Sequence, residues 1–568
     1  MYNNTTKCIV IFLLIIWRNM NNINFFALGG LDENGKNCYV LEFNNKIFII
    51  NAGTKVPINS KNGVDTLIPD FSYLEKHKDR IVGIFISDVK NETFSALPWL
   101  IMHIPNLNIY TSSFNKVMIL DRISKYNIQN KNFKVNVINK TTNFGDIFIS
   151  PIELAGSMPG HIGFNFITRD GDILFMSNFV EGDLGIYGKL QFEHLKRSFT
   201  KRKLIALVVD AGRANYSGRA VEKIKLPASI KDVFMSAKAN ERIIIGAYDE
   251  EMVSIHQILD LAKQTNRPII TYGKTYGQLF SLMRQEHGDV EFPELIDYRL
   301  ANKTDNAVIL VTGSIERLYS RFLRITDNND VFLKLKPTDN VIMIAPPVAG
   351  LESIAAVSLD DISRITPKIA DVTNKEFYRH RPARQDLINL VNTLRPEYVI
   401  PVQGLYRYLS DAAKYIRKEA NYKEENCLIL QNGKIAHFID GKLSSTNGKI
   451  KEIGDVIIDG YGIGDISTEV IAEREVLGRD GVIIITANFD PSIKKITGKV
   501  HINIVGSLSK NDKKDAENLI LRTIASVLDD EVFEGLKDFQ NRTRQVLRKR
   551  IFKVFNKEPL IIISLITN

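Results

Sequence analysis

The sequence predicts an α/β protein of several domains, and three patterns along the chain carry that prediction. Closely spaced strands with short turns fill residues 23–50 and 133–176, as in one half of a β-sandwich. Strands and helices alternate between residues 220 and 375, which indicates a parallel α/β sheet. A last, smaller α/β module occupies residues 455–568. The length of 568 residues suits roughly three or four domains.

Single elements follow from local patterns. Two apolar runs, Cys38–Phe43 and Lys46–Ile50, are joined by two asparagines, which predicts a hairpin with a two-residue turn. Leu204–Asp210 reads as a buried strand that ends in a carboxylate, and polar side chains at the carboxyl ends of parallel strands typically form binding sites. The polar segment 441–454 is predicted to be a linker. Further predicted elements are strands Gly163–Thr168, Asp172–Met176 and Tyr398–Val402, and helices Ser254–Gln264 and Asp386–Leu394.

The amino-acid composition indicates the cellular compartment more clearly than it indicates the function. The formal net charge of +9 is compatible with nucleic-acid contact and equally with a generic basic surface. The three cysteines are far apart, which favours a reduced, cytoplasmic protein. The apolar run Cys8–Trp17 is too short to span a membrane, so no membrane partner is expected. We interpret residues 1–19 as a doubtful extension before a start at Met20, in preference to a signal peptide.

Several sequence blocks, taken in order, resemble the ribonuclease J family, which belongs to the β-CASP branch of the metallo-β-lactamase superfamily. The resemblance runs from about Phe26 to the C-terminus. It implies a metallo-β-lactamase αββα sandwich (residues 20–220 and 376–440), an inserted β-CASP domain (221–375), the linker 441–454 and a C-terminal domain (455–568). The blocks are Leu28–Asn37, Gly63–Asp65 with Ile68–Asp70, Thr312–Ser314, Leu335–Pro337, Arg395–Arg407 and Asp459–Asp465.

The same comparison implies a divergent paralogue without its metal site. Family members hydrolyse RNA with two zinc ions, held by histidines and carboxylates that activate a water molecule. The position of the proposed acid–base histidine falls on Arg381 or, with a one-residue slip, on His380; Asp210 alone keeps its chemical type. No two of the nine histidines lie within five residues of each other, so we predict no zinc cofactor and no retained catalytic residue. The metal-ligand positions fall on Asn51, Asp88, Lys90, Glu92, Thr93, Gly156, Asn178 and Gln403.

Two interpretations of the remaining cations stay open. In the first, the cleft retains an RNA groove in which arginine and lysine charge replaces metal charge. In the second, Lys90 forms a structural ion pair with Asp88 or Glu92, and the neighbouring Glu250-Glu251 favours this alternative. The basic run 542–550 reads as a solvated helix face or as an RNA contact, and His161 as a structural histidine. The RNA-binding candidates are Lys90, Ser314, Arg379, Arg381 and Arg384.

Three functions follow as hypotheses. The first is an inactive RNA-binding or scaffolding subunit of RNA processing and decay, forming a homodimer or a hetero-oligomer with an active ribonuclease J paralogue. The second is an endonuclease or 5′–3′ exonuclease with residual or rearranged activity. The third is a structural interaction protein with no RNA role.

Overall fold

The computed structural model describes residues 21–55, 66–129, 132–199, 201–220, 226–272, 274–286, 293–315, 317–348, 351–372, 380–459, 462–463, 468–490, 492–493, 495–529 and 535–567. The predicted extension 1–19 and the candidate Arg379 lie outside these residues. The chain forms two compact units, one of Met1–Ile58 with Thr66–Val456 and one of Asn59–Asp65 with Ile457–Asn568. None of the helices described here has the length and apolarity needed to cross a bilayer.

The first unit contains most of the strands and helices. Up to residue 210 it has strands β1 (Asn22–Gly29), β2 (Cys38–Phe43), β3 (Lys46–Ile50), β4 (Thr66–Pro69), β5 (Ile81–Phe85), β6 (Leu107–Thr111), β7 (Phe133–Val137), β8 (Thr142–Asn143), β9 (Phe148–Glu153), β10 (Ile162–Thr168), β11 (Gly171–Met176), β12 (Gly182–Asp183), β13 (Lys189–Leu190) and β14 (Leu204–Asp210). The helices of this part are α1 (Ser72–Lys76), α2 (Asn91–Phe94), α3 (Leu97–His103), α4 (Ser113–Ser124) and α5 (Phe192–Arg197).

Further along the first unit, strands and helices alternate. The elements are α6 (Ala228–Ser236), β15 (Ile243–Tyr248), α7 (Met252–Gln264), β16 (Ile269–Tyr272), α8 (Lys274–Glu286), β17 (Leu295–Ile296), β18 (Val308–Gly313), α9 (Leu318–Thr326), β19 (Asn340–Met343), α10 (Glu352–Ile365) and β20 (Ile369–Asp371). After them come α11 (Arg384–Leu394), β21 (Tyr398–Val402), α12 (Tyr406–Glu419), β22 (Lys434–Ile439) and β23 (Lys442–Lys449).

Two large sheets of the first unit pack face to face. One has the strand order β23-β22-β1-β2-β3-β5-β6-β7 and the other β21-β14-β11-β10-β9-β8. Aromatic side chains join them: the ring of Phe166 on β10 lies 6.0 Å from that of Phe48 on β3 and 5.9 Å from that of Phe85 on β5. The predicted hairpin is present as the antiparallel pair β2–β3. These sheets form the expected αββα sandwich.

The inserted region forms a sheet of its own, in the order β17-β16-β18-β15-β19-β20. Its pairings are parallel, as the alternation of strands and helices predicts. The loop after β15 carries Glu250 and Glu251 toward the sandwich, where Glu251 contacts Lys90 and Glu250 contacts Asn91 at the start of α2.

The predicted linker 441–454 is wrong for most of its length. Residues Lys442–Lys449 form β23, which pairs with β22 through the tight turn at Asp440-Gly441. Both turn residues have positive φ, 48° and 72°, as a two-residue hairpin turn requires. The strand is polar because it is the outermost strand of its sheet and its side chains are largely exposed.

The second unit is a small α/β module. Strand β24 (Asp455–Asp459) spans the boundary at which this unit begins. The elements after it are β25 (Gly462–Ile463), α13 (Thr468–Asp480), β26 (Val482–Asp490), β27 (Lys495–Val505), α14 (Lys513–Leu528), α15 (Leu536–Phe555) and β28 (Leu560–Ile566). The sheet order is β27-β26-β28. Helices α14 and α15 share an apolar core with this sheet that includes Ile483, Ile520, Leu547 and Ile551.

Candidate functional site

The predicted site positions lie at the ends of strands of both sandwich sheets. Asn51 follows β3 and Asp88 follows β5, while Asn178, Asp210 and Gln403 lie at or after the ends of β11, β14 and β21. Asn51, Asn178 and Gln403 have φ values of 66°, 51° and 66°. Asparagine tolerates this left-handed backbone better than most residues do. The loops thus follow a demanding backbone course at three of the predicted site positions.

Arg381 occupies the middle of the site. Its Nη2 donates to Asp210 Oδ1 at 2.7 Å, and its Nε donates to Asp210 Oδ2 at 3.0 Å. Nη2 also donates to the Gln403 carbonyl at 2.9 Å. Burial alone would lower the pKa of Arg381, but the carboxylates of Asp210 and Glu92 outweigh it and raise the pKa. A permanent cation therefore lies against Asp210, the residue predicted to keep its chemical type.

Gly212 makes room for that guanidinium. A Cβ atom at position 212 would lie 2.2 Å from Arg381 Nη2, so a larger residue would displace Arg381. The N–H of Gly212 also donates to Asp210 Oδ1 at 2.8 Å. Sequence reasoning missed this residue, because nothing local to Gly212 signals an arginine 169 positions further along the chain.

Side-chain amides connect the other positions. Gln403 Nε2 donates to Glu92 Oε1 at 2.8 Å and to Asn178 Oδ1 at 2.9 Å. Asn178 Nδ2 donates to Asp88 Oδ2 at 3.1 Å, and its backbone N–H donates to Asp210 Oδ2 at 3.1 Å. Amide N–H groups, which are donors, point at carboxylates at positions where the resemblance predicts metal ligands, which must present lone pairs.

Asn51 is held by a residue that the sequence did not single out. Ser87 N–H donates to Asn51 Oδ1 at 3.0 Å, and Asn51 Nδ2 donates to Ser87 Oγ at 3.1 Å. Ser87 Oγ in turn donates to Asp88 Oδ2 at 3.0 Å. The two strand ends that carry Asn51 and Asp88 are thereby joined without an ion.

Gly156 and His161 form a second complementary pair. A Cβ atom at position 156 would lie 1.9 Å from Nδ1 of His161, so the imidazole ring fills the space that a side chain at 156 would need. His161 Nδ1 lies 3.0 Å from the Asn178 carbonyl, which can only accept, so Nδ1 carries the proton. Burial lowers the pKa of His161 to about 4, which leaves the ring neutral at pH 7. The prediction of a structural histidine agrees with this geometry.

Lys90 makes an ion pair, although with a different partner from either predicted one. Its Nζ lies 3.7 Å from Glu251 Oε1, and both side chains are buried. His380 Nδ1 lies 2.5 Å from the other oxygen of Glu251. Next to them, Glu250 Oε1 accepts the N–H of Asn91 at 2.6 Å, and burial, followed by the charge of Asp249, raises the pKa of Glu250 to about 8. Glu250 and Glu251 thus fasten the inserted sheet to the sandwich.

The other predicted RNA-binding candidates are placed differently from one another. The guanidinium of Arg384 stacks 3.5 Å from the ring centre of Tyr415 and donates to the carbonyls of Ala214 and Asn215. The carbonyl of Ser314 accepts the N–H groups of Arg317 and Leu318 at the start of α9. The structure therefore does not bring these two residues into the cluster of Lys90 and Arg381.

A cavity of about 360 Å³ opens beside the cluster. Three of the four cations in its wall are paired, each with its own carboxylate, and the fourth, Arg213, lies 4.6 Å from the ring centre of Tyr216. Lys55 Nζ lies 2.7 Å from Glu33, and Lys90 and Arg381 are held as described. The lining residues thus offer few unpaired cations to a phosphate chain. Carboxylates in the wall are Asp32, Glu33, Glu92 and Glu250.

The residues present do not fit a pair of zinc ions. Among the residues that the structure describes, no group of three or more histidine, cysteine, aspartate or glutamate side chains is arranged to hold a metal. The carboxylates that remain, Asp88, Glu92 and Asp210, already accept hydrogen bonds from amide, hydroxyl or guanidinium donors. Lys90 and Arg381 add two fixed positive charges, and repulsion between these and divalent cations is strong in a buried site.

Comparisons with known proteins agree on one family. Residues 240–362 match the model of the ribonuclease J β-CASP domain. Residues 367–429 match the Zn-dependent metallo-hydrolase RNA specificity domain, and residues 469–568 match the ribonuclease J C-terminal domain.

Several proteins are similar in sequence to this chain over almost its full length. Uncharacterized protein MG423 of Mycoplasma genitalium is 29% identical, with 95% of each chain covered. Its homolog in Mycoplasma pneumoniae is 27% identical over 96% of this chain and 100% of its own. Ribonuclease J 2 of Staphylococcus saprophyticus is 24% identical over 96% of this chain and 99% of its own.

Proposed function

The chain belongs to the ribonuclease J family, and from that premise we propose that it is a non-hydrolytic subunit that supports RNA processing beside an active, zinc-dependent family member. One observation carries this proposal. The guanidinium of Arg381 lies in two hydrogen bonds against Asp210, at the position where the family's chemistry needs metal ligands and a proton-transferring histidine. No step of zinc-dependent hydrolysis can be assigned to such a group, because arginine stays protonated and offers no lone pair.

The pattern of replacement supports a maintained protein. Gly212 leaves room for Arg381, and Gly156 leaves room for His161. In each pair one residue is small where its partner is large, so the changes are complementary in volume. Random loss of ligands would instead leave cavities or clashes, which cost stability in a close-packed interior. A scaffold that still has to fold and assemble accounts for this complementarity.

The proposed test combines binding and activity. The tagged full-length chain is expressed in its native cell, purified, and searched for a co-purifying ribonuclease J family member. Hydrolysis of 5′-monophosphorylated RNA is then measured for the chain alone, for the partner alone and for the pair. We expect no hydrolysis by the chain alone and a changed rate or product pattern for the pair.

Two results would contradict the proposal. Metal-dependent hydrolysis by the chain alone, lost in an Asp210→Asn variant, would favour the alternative of a rearranged ribonuclease. Absence of any family member from the purified material, with no effect on an added one, would favour a structural protein without an RNA role. An Arg384→Ala variant is the control for Asp210→Asn, because it changes a charged residue that lies outside the cluster.

A further inference from the structure

Helix α15 of the second unit has two sides of opposite character. Its apolar stripe, at intervals of four residues, packs into the core shared with the sheet: Phe539, Thr543, Leu547 and Ile551 are buried. The opposite side is exposed and basic, with Phe552 in its middle at 49% exposure. We call this side the basic face and define it as Arg544, Arg548, Lys549, Phe552 and Lys553.

We infer that the basic face binds the phosphate backbone of single-stranded RNA. The inference rests on the proposed function only in taking RNA as the polyanion that this family meets. It assigns the contact to a helix of the second unit and not to the cluster around Arg381, whose cations are already paired with carboxylates.

Few carboxylates of the protein neutralise the cations of the basic face. Arg548 lies 3.4 Å from Glu558, but the pair is exposed, and exposed pairs contribute little. Arg544 donates to the Ile561 carbonyl and to Asn541 rather than to a carboxylate. Among the described residues, no carboxylate lies within ion-pair distance of Lys549 or Lys553.

The spacing of these cations along the helix makes them repel one another. Arg544 and Arg548 are four residues apart, as are Lys549 and Lys553, and like charges at this spacing repel on a helix. The helix dipole offsets the repulsion only for cations in the last turn. A polyanion along the helix would relieve it over a length of about 14 Å, at 1.5 Å per residue. Lys and Arg in a row suit phosphate contacts without base recognition.

Phe552 distinguishes this face from a merely solvated helix. An exposed aromatic ring between cations offers a surface on which a base can stack, and such stacking is tolerant of sequence. The apolar stripe of α15 is occupied by the sheet, so the helix cannot lay that stripe into a lipid surface. Lysine is depleted in protein–protein interface cores, which disfavours a protein partner for Lys549 and Lys553.

The test measures binding of the full-length chain to a fluorescein-labelled single-stranded RNA of about 20 nucleotides by anisotropy, between roughly 50 and 200 mM salt. We expect K549E/K553E to weaken binding at least about tenfold and to reduce the slope of log K against log salt by about 1.4, which corresponds to two phosphate contacts. We expect Phe552→Ala to weaken it about fivefold or more.

The matched control is K495E/K499E, which makes the same charge change on β27, the edge strand farthest from β28 and α15. We expect this variant to bind within about twofold of the unaltered chain, because general attraction falls off within a Debye length of about 10 Å. Far-UV circular dichroism and thermal unfolding verify that the exposed substitutions leave the fold intact.

Equal weakening by both double variants would overturn the inference, since it would show general charge attraction. Absence of RNA binding by the unaltered chain would overturn it too, as would binding to anionic phospholipid vesicles in place of RNA. None of these results would alter the co-purification and hydrolysis measurements, so a failure of this inference is distinguishable from a failure of the proposed function.

Discussion

Replacing Arg381 by methionine should destabilise the first unit strongly. The substitution removes both hydrogen bonds to Asp210 and the one to the Gln403 carbonyl. Asp210 is fully buried and, among the residues that the structure describes, keeps only the N–H groups of Asn178 and Gly212 as donors. Removal of one partner from a buried ion pair costs about 3–5 kcal/mol, because the other charge is left uncompensated in a poorly polarisable surrounding.

The measurement is urea unfolding of the full-length chain. Fluorescence of Trp99, which is buried in the first unit, and far-UV circular dichroism report the transition. We expect the free energy of unfolding of the Arg381→Met variant to fall by about 3–5 kcal/mol. Arg384→Met should lower it by about 1 kcal/mol or less, since that guanidinium is stacked on the partly buried ring of Tyr415 and donates to backbone carbonyls, so its removal strands no buried carboxylate.

A double variant separates charge from packing. Asp210→Asn added to Arg381→Met removes the uncompensated carboxylate, so the double variant should be more stable than Arg381→Met alone by at least about 1 kcal/mol. A buried ion pair of this strength would be contradicted by a loss of less than about 1 kcal/mol in the free energy of unfolding of Arg381→Met, or by a double variant no more stable than the single one.

The remaining predictions concern burial and space in the same region. The free-energy contribution of Glu250 should be lost as pH rises from 4.5 to about 8, because its raised pKa favours the protonated form in the folded chain; the difference from Glu250→Gln in urea unfolding at each pH measures it. His161 should act in the opposite direction, with stability gained as pH rises from about 4 to 6.5, and His161→Asn should lack this gain in the same assay. Gly156→Ala should lower the free energy of unfolding by about 2 kcal/mol or more, and His161→Ala should partly restore it. The control is Gly454→Ala, whose added Cβ meets no atom within 4 Å and should change the free energy of unfolding by less than about 0.5 kcal/mol. Equal effects of the two glycine variants would contradict the proposed lack of space at position 156.

Much of the fold follows from local sequence. Apolar runs such as Leu204–Asp210 match their strands, and the alternating region forms the predicted parallel sheet, because burial on both faces imposes a continuous apolar pattern. The segment 442–449 was mistaken for a linker because an exposed edge strand has the composition of a loop. The signal for that strand is the turn at Asp440-Gly441, which links two segments of suitable length.

The site could be predicted only in part. Position by position, the resemblance predicts which ligands are absent, but the contacts that these positions make join residues far apart in the chain. Lys90 pairs with Glu251 and Arg381 with Asp210, and no local pattern determines either partner. The contact between Gly156 and His161 could not be predicted either. A glycine in the sequence indicates that space is needed at that position, but not which side chain fills the space.

We propose that side chains of this protein occupy and neutralise the place of the family's two zinc ions. The most direct test is the zinc content of the full-length chain, expressed in zinc-supplemented medium, purified without chelator and measured by inductively coupled plasma mass spectrometry, with an active family member as the positive control. The arrangement of Arg381, Asn178 and Gln403 predicts a zinc content near zero per chain. About two zinc ions per chain, the content of a dinuclear site, would contradict the account.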